Sequence, residues 1–594
     1  MLKYPTNLIA AVTQTISTRT FYGLDKRPGR GDQVCSVMEN MRLYPDGAIS
    51  TRANRGFLTK LDAPQAMTHN NGLAWVDGGV LFHNGTATPI RDLTEGEKQL
   101  VNMGAYIVIF PDKKFYNTVN PEDYGSLDRQ WTGESLNIHM VQVDGTDFEE
   151  NMLHVGSLPP EETEEETWAD GMYWLDTSGE TDTLKRWSQG NERWTAFDSV
   201  YIKLQAVGIG TGVKKGDALT FSGLEYTGEN EKTRKQVADL NGTFEIMDCD
   251  DDWLVMIGLM HEMVELEGEI HADRICPQMD FVIEAGNRLW GCFAGEQNGE
   301  VLNEIYASAQ SDFTNWRRYG GKAGDSHAIS IGTEGQFTGA VNYRGSPYFF
   351  KERAVHKVYG ERPSNFATQQ TVCDGVHEGC HKTLQMVGGA LFYLGINGPV
   401  MFDALPTSMD EAFNGQRFDR GTACEFENQY IISMRTTDGE WGLFTLDTQK
   451  GTWTMQDAIH VMQFVRVQDE VYMLLENGEI WAMNGTAGEK ENKPISFLFI
   501  SGEIGYEVAE KKTLQKLQIR LRMAKGARLN AYVEYDGDKI WHPLGTEWTS
   551  MDTAKAISLP VHPRRCDHLK IKLEGRGDVT IYGLTKTIKT GSDR

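Results

Sequence analysis

The feature that most constrains this chain is a repeat running from Met279 to Thr486. Short apolar runs begin at Leu289-Trp290, Tyr348-Phe349-Phe350, Leu391-Phe392-Tyr393, Tyr430-Ile431-Ile432 and Val471-Tyr472-Met473. A turn precedes each of them: Gly286-Asn287-Arg288, Arg344-Gly345-Ser346-Pro347, Gly388-Gly389, Glu427-Asn428 and Gln468-Asp469. A second turn and a second apolar run follow, as in Gly398-Pro399-Val400-Met401-Phe402 and Asn477-Gly478-Glu479-Ile480-Trp481. The starts lie about 40 residues apart, with one longer gap of about 60, and such a period marks a propeller blade or an array. A blade is a four-stranded antiparallel unit that cannot bury both faces alone, so it stacks on its neighbours.

Strand chemistry supports this. Period-2 alternation recurs, as in Trp441-Gly442-Leu443-Phe444-Thr445-Leu446, and no comparable helical periodicity is present in the region. In Leu446-Asp447-Thr448-Gln449-Lys450-Gly451-Thr452-Trp453 the Asp side chain can accept turn N–H groups, Gly supplies positive φ, and Trp packs between blades. Ser311-Asp312-Phe313-Thr314-Asn315-Trp316 repeats that arrangement loosely. The expected fold class is all-β: a β-propeller of about seven blades with an inserted small β domain and a C-terminal β-sandwich.

The 594 residues exceed one ordinary domain. Four parts are expected: an N-terminal arm with the first blades over 1–145, or a strand that returns to close the ring; an acidic inserted β domain over 146–277; the remaining blades over 278–500; and a basic β-sandwich over 501–594. The insert opens on the acidic run Pro159-Pro160-Glu161-Glu162-Thr163-Glu164-Glu165-Glu166 and continues into an aromatic hairpin, Tyr173-Trp174-Leu175-Asp176-Thr177 with Leu184-Lys185-Arg186-Trp187 and Trp194. It holds 29 acidic and 10 basic side chains, net −19, whereas 511–594 holds 9 acidic and 17 basic, net +8, against −26 for the whole chain. An acidic body of this kind argues against a general binder of nucleic acid or anionic membrane. No apolar run is long enough to span a bilayer. Met1-Leu2-Lys3-Tyr4-Pro5 lacks the apolar core of a signal peptide, so a soluble protein made in a cytoplasm is expected. The eight Cys are expected as buried free thiols.

Few motifs point to chemistry. Cys373, His377, Cys380 and His381 form the best zinc-like set, since thiolate and imidazole are zinc's preferred ligands. Adjacent Cys380 and His381 would point to opposite faces of a strand, so loop or core packing is the reading favoured. Asp248, Asp250, Asp251 and Asp252 could offer oxygen to calcium, but lack hand-type spacing and read as a solvated turn. Arg30-Gly31-Asp32 and Arg576-Gly577-Asp578 spell adhesion triplets of a kind common by chance. There is no Gly-x-Ser-x-Gly elbow and no Walker-type phosphate loop. No catalytic residue, cofactor or enzymatic activity is expected. Leu517-Gln518-Ile519-Arg520-Leu521-Arg522 and His568-Leu569-Lys570-Ile571-Lys572-Leu573 alternate cleanly, which makes Arg520, Arg522, Lys570 and Lys572 the candidates for contact with an acidic partner.

Asn287-Arg288-Leu289-Trp290-Gly291, Tyr306-Ala307-Ser308 with Asp312 to Trp316, Phe350 to Gly360, and Leu391 to Val400 with Phe402-Asp403-Ala404 resemble the propellers of phage virions. More specifically they resemble the packaged-DNA stabilisation proteins that form the tail hub or nozzle of short-tailed bacteriophages. The likeness is one of repeat style over roughly residues 33–145 and 278–485, with no catalytic or ligand motif to carry over. It implies a virion protein made in the bacterial host cytoplasm and forming a ring of six subunits below the portal and adaptor. Tail spike or fibre would be further neighbours, genomic DNA would make passing contact in the channel, and the chain would not insert in a membrane. The alternative is a tail-tip or fibre-associated propeller that recognises a host surface glycan; Trp187 or Trp194 could stack on sugars, although the core of the small inserted domain is the reading favoured for them. A third class is a cellular hydrolase on a propeller scaffold.

Overall fold

Tight turns set the strand pairs. Arg344-Gly345, Gly388-Gly389 and Glu427-Asn428 all take positive φ at both residues. That is the twist a two-residue hairpin needs to match its strands. The computed structural model describes residues 11–142, 144–149, 152–161, 168–297, 299–544 and 548–591, with the side chains of 548–551 left aside. Part of the acidic run, Glu162 to Glu166, lies outside the described residues.

The fold is an all-β propeller. Among the described residues seven blades are present, six of four strands and one of five, in which Glu489–Lys490 adds beyond Gly56–Lys60. They run from Pro64–His69 to Thr86–Ala87, Gln99–Met103 to Tyr124–Ser126, Phe281–Glu284 to His327–Ser330, Phe337–Tyr343 to Ala367–Val372, Gln385–Val387 to Leu405–Ser408, and Phe418–Phe426 to Thr452–Met455. The seventh takes Val461–Val467, Glu470–Leu475 and Glu479–Ala482, and its fourth strand is Gly56–Lys60 from the other end of the sequence. The Asp447 turn forms as its residues require. Its Oδ1 accepts from Gln449 N at 3.0 Å and Lys450 N at 3.1 Å, Gly451 has φ 65°, and Trp453 is buried with its Nε1 donating to Met409 O.

The chain divides into two compact units: Met1–Leu100, Thr333–Lys357 and Gln369–Arg594 in the first, and Val101–Gly332 with Val358–Thr368 in the second. In the first, one apolar core joins the blade side chains Tyr393, Phe402, Tyr430 and Trp453 to the C-terminal side chains Leu517, Ile519, Leu573 and Ile581. The C-terminal layer is one eleven-stranded sheet, and both ends of the sequence build it. Val12–Thr18, Cys35–Glu39, Met41–Leu43 and Ile49–Thr51 join Ser496–Ser501, the 24-residue strand Lys512–Tyr535, Trp548–Leu559, Leu569–Arg576 and Val579–Thr590. This corrects the expectation for 1–145. Residues 12–51 supply strands to the C-terminal sheet, and the first blade begins only at Pro64. Phe21, Leu24, Met38 and Ile49 find their apolar cover there.

In the second unit the insert starts earlier than expected, at Thr132–Val141, and ends at Val264–Asp273. It is a closed barrel of six strands, because Thr132–Val141 pairs with both Tyr201–Gln205 and Val264–Asp273. Leu136, Ile138, Leu204, Phe221, Leu254 and Ile270 fill it. The aromatic hairpin belongs to a separate four-stranded sheet, Leu153–Gly156 to Arg193–Ala196, set between two barrel strands in sequence. The region from Val200 to Leu259, expected as strands and turns, also holds a helix, Glu231–Asp239. Asn230 caps it by accepting from Lys232 N and Thr233 N, and Val237 and Leu240 pack in the barrel core. Among the described residues no helix is long and apolar enough to cross a membrane.

Candidate functional site

The four zinc-like residues do not converge. His377 Nδ1 meets Glu352 at 3.1 Å and His381 Nε2 meets Glu97 at 3.4 Å. Cys380 is buried with its thiol donating to Asp419 O, and burial pushes its pKa up to about 12, away from the thiolate a metal needs. Burial also raises the Cys373 thiol. Among the described residues no group of three or more His, Cys, Asp or Glu is placed to hold a metal ion. Asp248 and Asp250 lie in strand Thr243–Asp250, and only Asp251 and Asp252 make the turn before Trp253–Ile257, with Asp252 Oδ1 accepting from Gly208 N at 2.7 Å. In the first adhesion triplet Asp32 is buried in an ion pair with Lys586, so the triplet is not presented.

The four basic candidates lie on the outer face of the C-terminal sheet, but they are not equivalent. Arg520 and Arg522 are exposed, and Arg522 lies 3.6 Å from Asp578. Lys570 is opposite Glu534 in register and pairs with Glu503 at 3.6 Å. Lys572 sits 3.0 Å from Glu574 and covers the ring of Tyr532 at 4.3 Å. Period-2 alternation placed all four on the right face. It could not foresee that Arg522, Lys570 and Lys572 already have acidic neighbours there, those of the two lysines being the less exposed.

The sugar-stacking candidates are core. Trp187 is buried, Trp194 half-buried, and their ring centroids lie 5.5 Å apart at 60°. Trp174 and Trp168 complete an edge-to-face cluster with them, and Lys185 Nζ covers the Trp174 ring at 4.5 Å while pairing with Asp176 at 2.7 Å. Aromatic pairs in this geometry supply most of the apolar area in so small a sheet.

Two polar clusters were missed by reading the sequence. In one, the Asp182 side chain is fully buried and meets His261 Nδ1 at 2.8 Å, Lys232 Nζ at 3.0 Å and Gln236 Nε2 at 3.1 Å. It fastens the small aromatic sheet to the helix. In the other, Asp217 pairs with Arg274 Nη1 at 2.7 Å, accepts from Asn315 Nδ2 at 3.0 Å and from Lys214 N at 3.1 Å. Asn315 in turn accepts from Ala218 N at 2.9 Å, Arg274 Nε donates to Leu127 O, and Arg318 donates to Gly216 O. Asp217, Arg274 and Asn315 are all buried. This cluster ties the barrel to the blade ending at Ser330. Every member is satisfied by protein, the pattern of a buried joint rather than of groups held ready for a substrate. Arg288, one of the residues behind the phage-propeller likeness, serves the same blade: it donates to the carbonyls of Ser308, Ala323 and Asp325.

No protein-family model matches this chain, and no curated protein matches it. Solved structures do. BamB from Moraxella catarrhalis is similar at 10% identity over 73% of this chain and 97% of its own, with a TM-score of 0.31. The exo-beta-1,3-galactanase from Phanerochaete chrysosporium is similar at 12% identity over 51% of this chain and 95% of its own, with a TM-score of 0.20. The Trypanosoma rangeli sialidase is similar at 8% identity over 96% of both chains, with a TM-score of 0.21. Further matches are family 43 glycoside hydrolases. The expectation of no enzymatic activity is therefore corrected: with glycoside hydrolases and a sialidase among the matched structures, repeated blades do not by themselves imply a part without chemistry. At these identities and TM-scores the likenesses carry no argument for any particular reaction.

Proposed function

We propose that this chain is a structural protein of a bacteriophage neck or tail, forming an oligomeric ring that extends the portal channel and helps retain the packaged DNA. The observation that carries the reading is the division of charge between domains that are each held rigidly. The acidic insert, 29 acidic against 10 basic side chains, is fixed to its blade by the buried Asp217–Arg274–Asn315 joint. The basic C-terminal sheet, 17 against 9 over 511–594, is fixed to its blades by a continuous core and presents Arg520 and Arg522 outward. Rigid bodies with complementary charge orient and select neighbours during assembly. Acidic surface also suits a channel wall that holds DNA without gripping it, since Lys and Arg contacts to phosphate bind tightly.

Immunogold labelling of purified particles with antibody to this chain tests the reading. Label confined to the axial neck or tail, at a fixed number of copies per particle by quantitative mass spectrometry, supports it. Label at fibre tips favours the glycan-binding alternative, and absence from particles refutes both.

A further inference from the structure

We propose that copies of this chain join edge to edge through one continuous antiparallel sheet, strand Val12–Thr18 of one copy pairing with the 552–559 stretch of strand Trp548–Leu559 in the next. This deepens the ring proposed above by naming its seam, and rests on that reading only for self-assembly.

Four strands of the C-terminal sheet lie side by side in the order Trp548–Leu559, Lys512–Tyr535, Val579–Thr590 and Val12–Thr18. Every neighbouring pair is antiparallel, so the two outer strands run in opposite directions. Among the described residues each outer strand pairs on one side only. Each therefore offers a row of backbone N–H and C=O groups, the template another strand adds to. A second copy placed beside the first continues the alternation of direction without a break.

The side chains match across that seam. One outward row runs Ser17, Thr585, Gln518, Ser558 in strict register, with Ser17 Oγ and Thr585 Oγ1 sharing a hydrogen bond at 2.9 Å and Gln518 Nε2 donating to Ser558 Oγ at 3.0 Å. The inward rows run Ile16, Lys586, Leu517, Leu559 and Thr18, Leu584, Ile519, Ile557. A neighbouring copy thus sets Ser558 beside the small hydroxyl of Ser17 or, two residues along, Thr15, and Leu559 or Ile557 correspondingly beside Ile16. Both apolar side chains of the edge strand are uncovered in the single chain, Val12 at 47% and Ile16 at 44%.

The edge also lacks protection. Edge strands are normally blunted by charge, proline or a bulge. Val-Thr-Gln-Thr-Ile-Ser-Thr carries no charge and no proline, and its seven-residue register with Val579–Thr590 has no shift. Such a strand is stable against uncontrolled pairing only when its partner is supplied. Two different edges meeting make a head-to-tail contact, which closes into a ring when the rotation allows.

Disulfide trapping in the full-length chain tests the seam. A shift of two residues keeps each side chain on its face, so Ser17→Cys and Thr15→Cys are each combined with Ser558→Cys, and the native thiols are controlled by the three single variants. Under mild oxidation one double variant is expected to give a ladder of covalent multimers on a non-reducing gel, ending at the mass of the native assembly, while single variants stay at monomer mass. A second variant, Val12→Lys with Ile16→Lys, is expected to lose the assembled form while its thermal transition stays that of the parent. A parent that stays monomeric, an assembled protein that gives no ladder in either double variant, or an assembly that survives both lysines overturns the seam. Assembly through another surface removes the seam and leaves the virion reading standing. A trapped ring without label on particles does the reverse.

Discussion

Replacing Asp217 with Ala should damage the insert more than any surface change. The side chains of Asp217 and Arg274 are 4% and 10% exposed and their charged atoms are 2.7 Å apart. Among the described residues, removing the carboxylate leaves the buried guanidinium with only the Leu127 carbonyl, and strips Asn315 Nδ2 of one of its two acceptors, Asp312 remaining. Breaking one side of a buried pair costs about 3–5 kcal/mol. At roughly 2–4 °C per kcal/mol for a cooperative body of 150–250 residues, the transition of the second unit should fall by about 6–20 °C. Removing both charges together, Asp217→Leu with Arg274→Met, should recover part of that loss, because no ion is then left unpaired. Differential scanning calorimetry reads the shift, and hydrogen exchange over peptides covering 214–222 and 312–318 locates it. A calorimetric trace of Asp217→Ala superimposable on the parent, with unchanged exchange in those peptides, would show that the cluster does not fasten barrel to blade.

Two further outcomes follow from particular side chains. His356 is buried opposite Phe349, its Nε2 has no partner among the described residues, and burial, with the Lys351 ammonium beside it, pushes its pKa down to about 4. The unfolded chain binds a proton below about 6.5 that the folded chain refuses until about 4, so up to about 3 kcal/mol of stability, present above that window, is lost as pH falls through it. His356→Gln should flatten the pH dependence of the transition temperature between those values, and parallel curves for parent and variant would contradict the assignment. Arg520→Glu with Arg522→Glu should weaken assembly in a salt-dependent way while moving the thermal transition little, since exposed charges, the Arg522–Asp578 pair included, add little to stability. Lys570→Glu with Lys572→Glu should lower the transition itself, by setting like charges beside Glu503 and Glu574, and equal thermal behaviour of the two pairs would remove the distinction.

What the sequence discloses is what nearest neighbours decide. The turns at Arg344-Gly345 and Gly388-Gly389, the Asp447 cap and the buried Trp453 all depend on residues a few positions apart, and all formed where their chemistry placed them. The helix at Glu231–Asp239 was equally local: Asn230 is a good cap, and Thr233, Val237 and Leu240 recur at helical spacing. It was hidden by the glycine-rich strands on either side. The two ends of the chain are a different case. Thr15 meets Thr587 across 572 positions, and Val12–Thr18 has no apolar face of its own to announce a strand. Its hydrogen bonds to Val579–Thr590 alone give it form. The same holds for Asp217, whose partners Arg274 and Asn315 come from distant segments, so nothing in its own neighbourhood marks it as buried. A strand that owes its existence to one neighbour has a second edge with equal capacity to pair. The element least legible in the sequence is therefore the one most open to a second copy.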